Sequence, residues 1–164
     1  MLPALEGEYG LLPASESPHR ATLEEIFDLF VTAAPYSEDR KSLWMVFPSY
    51  VNKLRATFPT CRVLLDGGFT THKPWAAPSD IDVSVGVDRL HFNALQDWQQ
   101  AELFNTVAAG GQKIRVMGGA IDASRFQLGN PDKLAYWHEH WSSVHSADRT
   151  IVEGLRKGYV EVTE

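Results

Sequence analysis

The chain has 164 residues, 44% hydrophobic and 22% charged, with a net charge of −6 at neutral pH. That is enough apolar material for one domain with a buried core, whereas the acidic balance excludes a broad, sequence-independent nucleic-acid surface, which needs clustered Lys and Arg. A single cysteine, Cys61, excludes an internal disulfide, and no apolar run approaches the length of a membrane span.

Residues 1–20 hold Pro3, Pro13 and Pro18 among scattered Glu and Ser, which predicts an extended arm ahead of a single domain over 21–164. Glu6 and Glu8 interrupt any apolar run there, so no secretory leader is expected and the cytoplasm is the expected compartment. Thr22-Leu-Glu-Glu25 reads as a capping box, followed by Leu23, Ile26, Phe27, Phe30 and Val31 at helical spacing. Pro35 ends that helix and Ser37 is placed to cap the next, whose stripe of Leu43, Phe47, Tyr50, Val51 and Leu54 runs to about Phe58. Pro48 inside the stripe predicts a kink or break.

Cys61 to Leu65 is a compact apolar strand, with Cys61 read as a small buried side chain. It delivers Asp66-Gly67-Gly68-Phe69-Thr70-Thr71 and, after a Pro-containing spacer, Asp80-Ile81-Asp82-Val83-Ser84-Val85. Alternation on the strand Ile81–Val87 sends Asp80, Asp82 and Ser84 to one side and Ile81, Val83 and Val85 to a buried one. Residues 89–109 are expected to be helical, with Asn93 a candidate cap and Gly110-Gly111 as terminator. Lys113–Asp122 reads as a third strand, with Gly118-Gly119 marking a bulge or close approach. A helix over Pro131–Ser142, with Trp137 and Trp141 on its core face, and a strand over Tyr159–Val162 complete the set. The order predicts an α/β (α+β) fold, a short mixed β-sheet with helices mainly on one face.

The chemistry concentrates in the middle of the chain. Adjacent glycines let backbone N–H groups approach phosphate oxygens, and two aspartates on one strand face can grip the same Mg²⁺ ions. Gly-Gly is elsewhere most often simply a turn and Asp-x-Asp is common where strands begin; the pairing at an interval of eleven residues is what points to a site. His138, His140 and His145 do not make a zinc site on spacing, since helical residues two apart point to different sides. Arg149, Arg156 and Lys157 read as a solvated or salt-bridged edge rather than as triphosphate contacts.

The segment Leu64–Val85 resembles the nucleotidyltransferase superfamily, in its minimal polymerase-beta-like form: an apolar residue, Gly-Gly or Gly-Ser, a spacer of this size, then Asp-apolar-Asp-apolar. The chain is also similar to small bacterial nucleotidyltransferase-like proteins in the Asp-Gly-Ser/Gly-Phe-x-Thr turn, in Lys73-Pro74, and in a Trp-rich helix followed by a Lys-Gly turn, here Trp137, Trp141, Arg149 and Lys157-Gly158. Two departures stand out: Gly68 where relatives commonly have Ser, and Asp66 where many are apolar.

The resemblance implies a Mg²⁺-dependent enzyme, with Mn²⁺ as a substitute ion, that transfers a nucleotide monophosphate from an NTP to a hydroxyl. Asp80, Asp82 and Asp122 would be catalytic and hold two metal ions about 4 Å apart; Asp132 and Glu139 are alternatives to Asp122. Gly67, Gly68, Thr70, Thr71 and Lys73 would bind the nucleotide. The acceptor would be a protein, a tRNA end or a small molecule, in a setting such as a toxin-antitoxin or phage-defence pair with a cognate partner. The alternative is a catalytically degenerate module that works by binding nucleotide or protein.

Overall fold

The computed structural model describes all residues from Met1 to Glu164. In chain order its elements are β1 (His19–Ala21), α1 (Leu23–Phe27), α2 (Ser37–Trp44), α3 (Phe47–Thr57), β2 (Arg62–Asp66), β3 (Ile81–Val87), α4 (Arg89–Asn93), α5 (Asp97–Leu103), β4 (Thr106–Val107), β5 (Lys113–Ile114), β6 (Ile121–Gln127), α6 (Pro131–Ser142), β7 (Ser143–His145), β8 (Ile151–Arg156) and β9 (Val160–Val162). The main sheet has the strand order β1-β9-β2-β3-β6, with β1–β9 and β3–β6 parallel and the other two pairs antiparallel. This is the mixed-sheet α+β architecture that the order of elements predicts. Two small hairpins, β4–β5 and β7–β8, stand outside it. No helix is long and apolar enough to cross a membrane.

The period-2 pattern divides the sheet into two faces. Val63, Leu65, Val83, Val85, Ile121, Ala123 and Val160 point into the larger apolar cluster, which Ile26, Phe30, Phe47, Tyr50, Leu54, Phe92 and Leu103 complete from α1, α3, α4, α5 and the turn after α1. Each Val, Leu, Ile or Phe among them contributes roughly 1.5–3 kcal/mol by leaving water. The opposite face carries a smaller cluster of Leu64, Phe126, Trp141 and Tyr159, covered by α6. Helices therefore lie mainly on one face, with α6 alone on the other.

Local chemistry explains several boundaries. The capping box is made: Glu25 N–H donates to Thr22 Oγ1 at 3.2 Å and Thr22 N–H to Glu25 Oε2 at 2.9 Å. The helix runs on as a π-helical turn over Asp28–Thr32. Pro48 produces a break, not a kink: α2 stops at Trp44 and α3 restarts at Phe47 with Pro48 in its first turn, where a missing N–H costs nothing. Tyr36, at a φ of 59°, takes the cap position expected of Ser37.

Three expectations are corrected. The region 89–109 forms two short helices, capped by Asp88, whose Oδ1 accepts from Leu90 N–H at 2.8 Å, and by Gln96; Asn93 ends the first instead of capping. Gly110-Gly111 falls in the turn of the β4–β5 hairpin, since Gly111 adopts a φ of 83°. The segment Lys113–Asp122 is not one strand: Gly118 and Gly119 take positive φ in a 3₁₀ turn, so the sheet strand starts at Ile121 and runs to Gln127.

Candidate functional site

The register of the sheet sets the site. Asp66 on β2 pairs with Asp82 on β3, and Asp82 pairs with Asp122 on β6, so three aspartates lie side by side across three strands. They have the parity of Leu64 and Phe126, which places the row on the α6 face. Like charges directly opposite one another destabilise a sheet, so the row costs stability. Asp80 stands one residue before β3 and is buried.

Asp66, Asp80 and Asp122 each have a cationic partner. Lys157 Nζ pairs with Asp66 Oδ1, and both side chains are buried. Arg115 Nε bridges Asp80 Oδ2 at 3.1 Å and Asp122 Oδ2 at 3.0 Å. Lys113 Nζ adds a contact to Asp122 Oδ2 at 2.6 Å, and Asn105 Nδ2 donates to Asp122 Oδ1 at 2.7 Å. Ala123 N–H donates to Asn105 Oδ1 at 3.0 Å, which fixes the orientation of that amide. Burial alone would raise the Asp122 carboxyl, but the hydrogen bonds from Lys113, Arg115 and Asn105 outweigh it and hold the carboxyl below the usual range.

Asp82 has no such partner. Burial, and then the charges of Asp80, Asp66 and Asp122, push its carboxyl up to about 7, with Lys157 opposing. It faces a cavity of about 240 Å³ whose walls include Asp66, Gly67, Gly68, Lys73 and Lys157. Tyr9 of the N-terminal arm and Trp75, packed edge-to-face at 5.0 Å, form another part of the wall.

The glycine turn is built around Asp82. Gly67 adopts φ 74° and ψ −159°, a region essentially restricted to glycine. A Cβ on it would stand 2.6 Å from Asp82 Cγ and closer still to Oδ2. Gly68 meets a softer neighbour, with Lys73 Nζ at 3.1 Å from its virtual Cβ. Burial first, and then the charge of Lys157, lower the Lys73 ammonium from its ordinary range. Arg40, fully buried on α2, holds the turn from behind by donating to the carbonyls of Phe30, Pro35, Phe69 and Thr71 at 2.6–2.9 Å.

Of the residues singled out from sequence, Gly67, Gly68, Thr71, Lys73 and Asp82 line this one cavity. Thr70 lies buried under the turn, its hydroxyl donating to Gly67 O at 3.3 Å, while Thr71 donates to Gly68 O at 2.9 Å. Asp80 and Asp122 stand on the Arg115 side of the row. Asp132 is exposed, and Glu139 is engaged by Arg156 Nη2 at 2.7 Å on the outer face of α6. Lys157 is not a solvated edge residue: it is buried and ion-paired at the cavity. Asn105, Lys113, Arg115 and Arg40 were missed. Lys113 and Arg115 were legible in principle, since two residues apart on extended chain they share a side.

Carboxylate oxygens are the donors that Mg²⁺ and Mn²⁺ prefer, so the row suits a hard divalent ion in chemistry. As placed, however, no three acidic, His or Cys side chains converge on one point, and Arg115 engages both Asp80 and Asp122.

Fold and site together define an α+β protein whose mixed sheet carries a row of acids under a glycine turn. The chain belongs to a family described as a family of unknown function (DUF6932), whose model matches residues 3–163. No curated protein and no solved structure matches it.

Proposed function

We propose that this protein is a Mg²⁺-dependent nucleotidyltransferase, using an NTP as donor and a hydroxyl as acceptor. The observation that carries the reading is the meeting, in one cavity, of the Gly67-Gly68 turn, the Lys73 and Lys157 ammoniums and the unpaired Asp82 carboxylate. Cations and backbone on one side with acids on the other suit a polyphosphate and its metal ions.

In this reading Asp82 would hold the metal, joined by Asp80 and Asp122 once Arg115 releases both. A carboxyl held below the usual range is a poor proton acceptor, so Asp122 fits a ligand's role better than a base's. Bound Mg²⁺ would neutralise charge on the transferring phosphoryl group and the departing pyrophosphate. The Gly67-Gly68 turn and Lys73 orient the phosphates, with Thr70 and Thr71 bracing the turn through its carbonyls. The acceptor oxygen bonds to the α-phosphorus as the bond to pyrophosphate breaks, and its proton passes to a carboxylate of the row. The net charge of −6 favours a protein or small-molecule acceptor over bulk RNA, with a tRNA end and a toxin-antitoxin partner as the other candidates.

A second reading, a degenerate module that binds without turnover, is favoured by the Arg115 bridge between Asp80 and Asp122. Incubation with Mg²⁺ and α-labelled ATP, GTP, CTP or UTP in cell lysate separates the two. The enzyme reading expects label on an acceptor, reduced at least 100-fold in Asp80→Asn and Asp82→Asn; equal labelling by both variants and wild type would discard the site.

A further inference from the structure

Lys157 is delivered to the cavity from far along the chain and held there firmly. Its N–H donates to Ser142 O at 3.0 Å, and Gly158 N–H donates to Leu12 O at 2.9 Å, so the backbone is fastened to the end of α6 and to the N-terminal arm. Gly158 has no room for a side chain, since a Cβ there would meet the Pro13 carbonyl and stand 2.5 Å from His19 Nε2. The ammonium is buried, lines the cavity beside Lys73 and Asp82, and pairs with Asp66.

A buried ion pair adds little net stability compared with apolar packing. This one sits where two lysines and the glycine turn converge, and Asp66 is the acid of the row that the superfamily pattern does not require. Resting on the nucleotide reading above, we infer that Lys157 is a polyphosphate-binding residue that Asp66 holds in place when the cavity is empty and yields to the nucleotide's outer phosphates when it fills. Lys157 thereby makes the cavity discriminate nucleotides with outer phosphates, the NTP donor among them, from monophosphates. Asp66 neutralises the ammonium between ligands, which avoids leaving an unpaired buried charge.

The test measures the affinities of ATP, ADP and AMP, each with Mg²⁺, for wild type, Asp66→Asn and the double variant Asp66→Asn/Lys157→Met. The double variant removes both charges together, so neither is left buried without its partner as in Lys157→Met alone, and circular dichroism checks its fold. Wild type should prefer ATP to AMP. The double variant should lose tenfold or more in ATP affinity with AMP changed less than twofold, and Asp66→Asn, which frees Lys157, should bind ATP severalfold tighter. A purely structural pair would leave the ATP-to-AMP ratio unchanged in both variants, and that result would overturn the assignment of Lys157 alone. If wild type binds none of the three, the nucleotide reading itself falls, and this inference with it.

Discussion

Gly67 and Asp82 are fitted to each other: the carboxylate occupies the space where any side chain on residue 67 would begin, and residue 67 has a backbone conformation that only glycine adopts freely. Gly67→Ala therefore meets both a clash and backbone strain. We expect it to lower stability by about 2–4 kcal/mol, read by urea unfolding. Gly68→Ser, which introduces the residue common among the resembling proteins, meets only the mobile end of Lys73 and should stay within about 1 kcal/mol of wild type. Equal costs at both positions would refute the fit.

Asp82 makes stability depend on pH in an unusual direction. Its carboxyl rises from the ordinary 3.8 to about 7, so between those values the folded state binds the proton more tightly than the unfolded chain. Stability is then highest near the lower end of that window, falls as pH rises through it, and levels off above about 7, a loss on the order of 2–4 kcal/mol. Asp82→Asn should abolish the slope and exceed wild type in Tm at pH 8. Mg²⁺ at pH 8 should stabilise wild type and leave Asp82→Asn unchanged. Asp122, held below 3.8, loses its contribution only at more acidic pH and does not mask the effect.

Arg115 engages the carboxylates of Asp80 and Asp122, the same oxygens that the proposed metal ion would need. Its guanidinium is partly exposed, but it is the only cationic partner of the buried Asp80 carboxylate, so Arg115→Ala should cost about 1–3 kcal/mol. The same change should raise Mn²⁺ affinity severalfold in a titration followed by electron paramagnetic resonance. A decrease in Mn²⁺ affinity would show that Arg115 supports the metal-binding arrangement instead of competing with it.

Arg40 fastens the glycine turn to the helical layer. Arg40→Met keeps much of the volume but strips donors from the carbonyls of Phe30, Pro35, Phe69 and Thr71. At about 1–3 kcal/mol for each buried acceptor left without a partner, a total loss above about 3 kcal/mol is expected in thermal or urea unfolding. A change below 1 kcal/mol would mean that the turn holds itself.

How much of this was legible in the sequence depended on how local each signal is. Period-2 alternation on Ile81–Val87 and the glycines after Leu65 sufficed to place Gly67, Gly68 and Asp82 together, because adjacent antiparallel strands fix that geometry. Lys73, in the spacer between them, reads on its own as a solvent or loop contact, and only the structure brings it to the cavity. Pro131 marked the start of α6 correctly; the cap itself, Asn130 Oδ1 accepting from Lys133 N–H at 3.1 Å, is a finding of the structure. β6 was displaced because Gly118-Gly119 turns the chain out of the extended region, a fact about φ that composition does not carry. The β7–β8 hairpin was missed, as its outer strand is mostly exposed and lacks clean alternation. Arg40 finds two of its four partners, Phe69 and Thr71, 29 and 31 residues away, and Lys157 finds Asp66 91 residues away; no local pattern announces such pairs.

The central claim, that the aspartate row and the glycine turn bind a nucleotide together with a divalent ion, is tested most directly by calorimetric titration of ATP in the presence and absence of Mn²⁺. Wild type should bind ATP at least tenfold more tightly with the ion than without it, and Asp80→Asn and Asp82→Asn should lose that difference while remaining folded. Metal-independent binding of equal strength in all three proteins, or no binding to wild type at millimolar nucleotide, would contradict it.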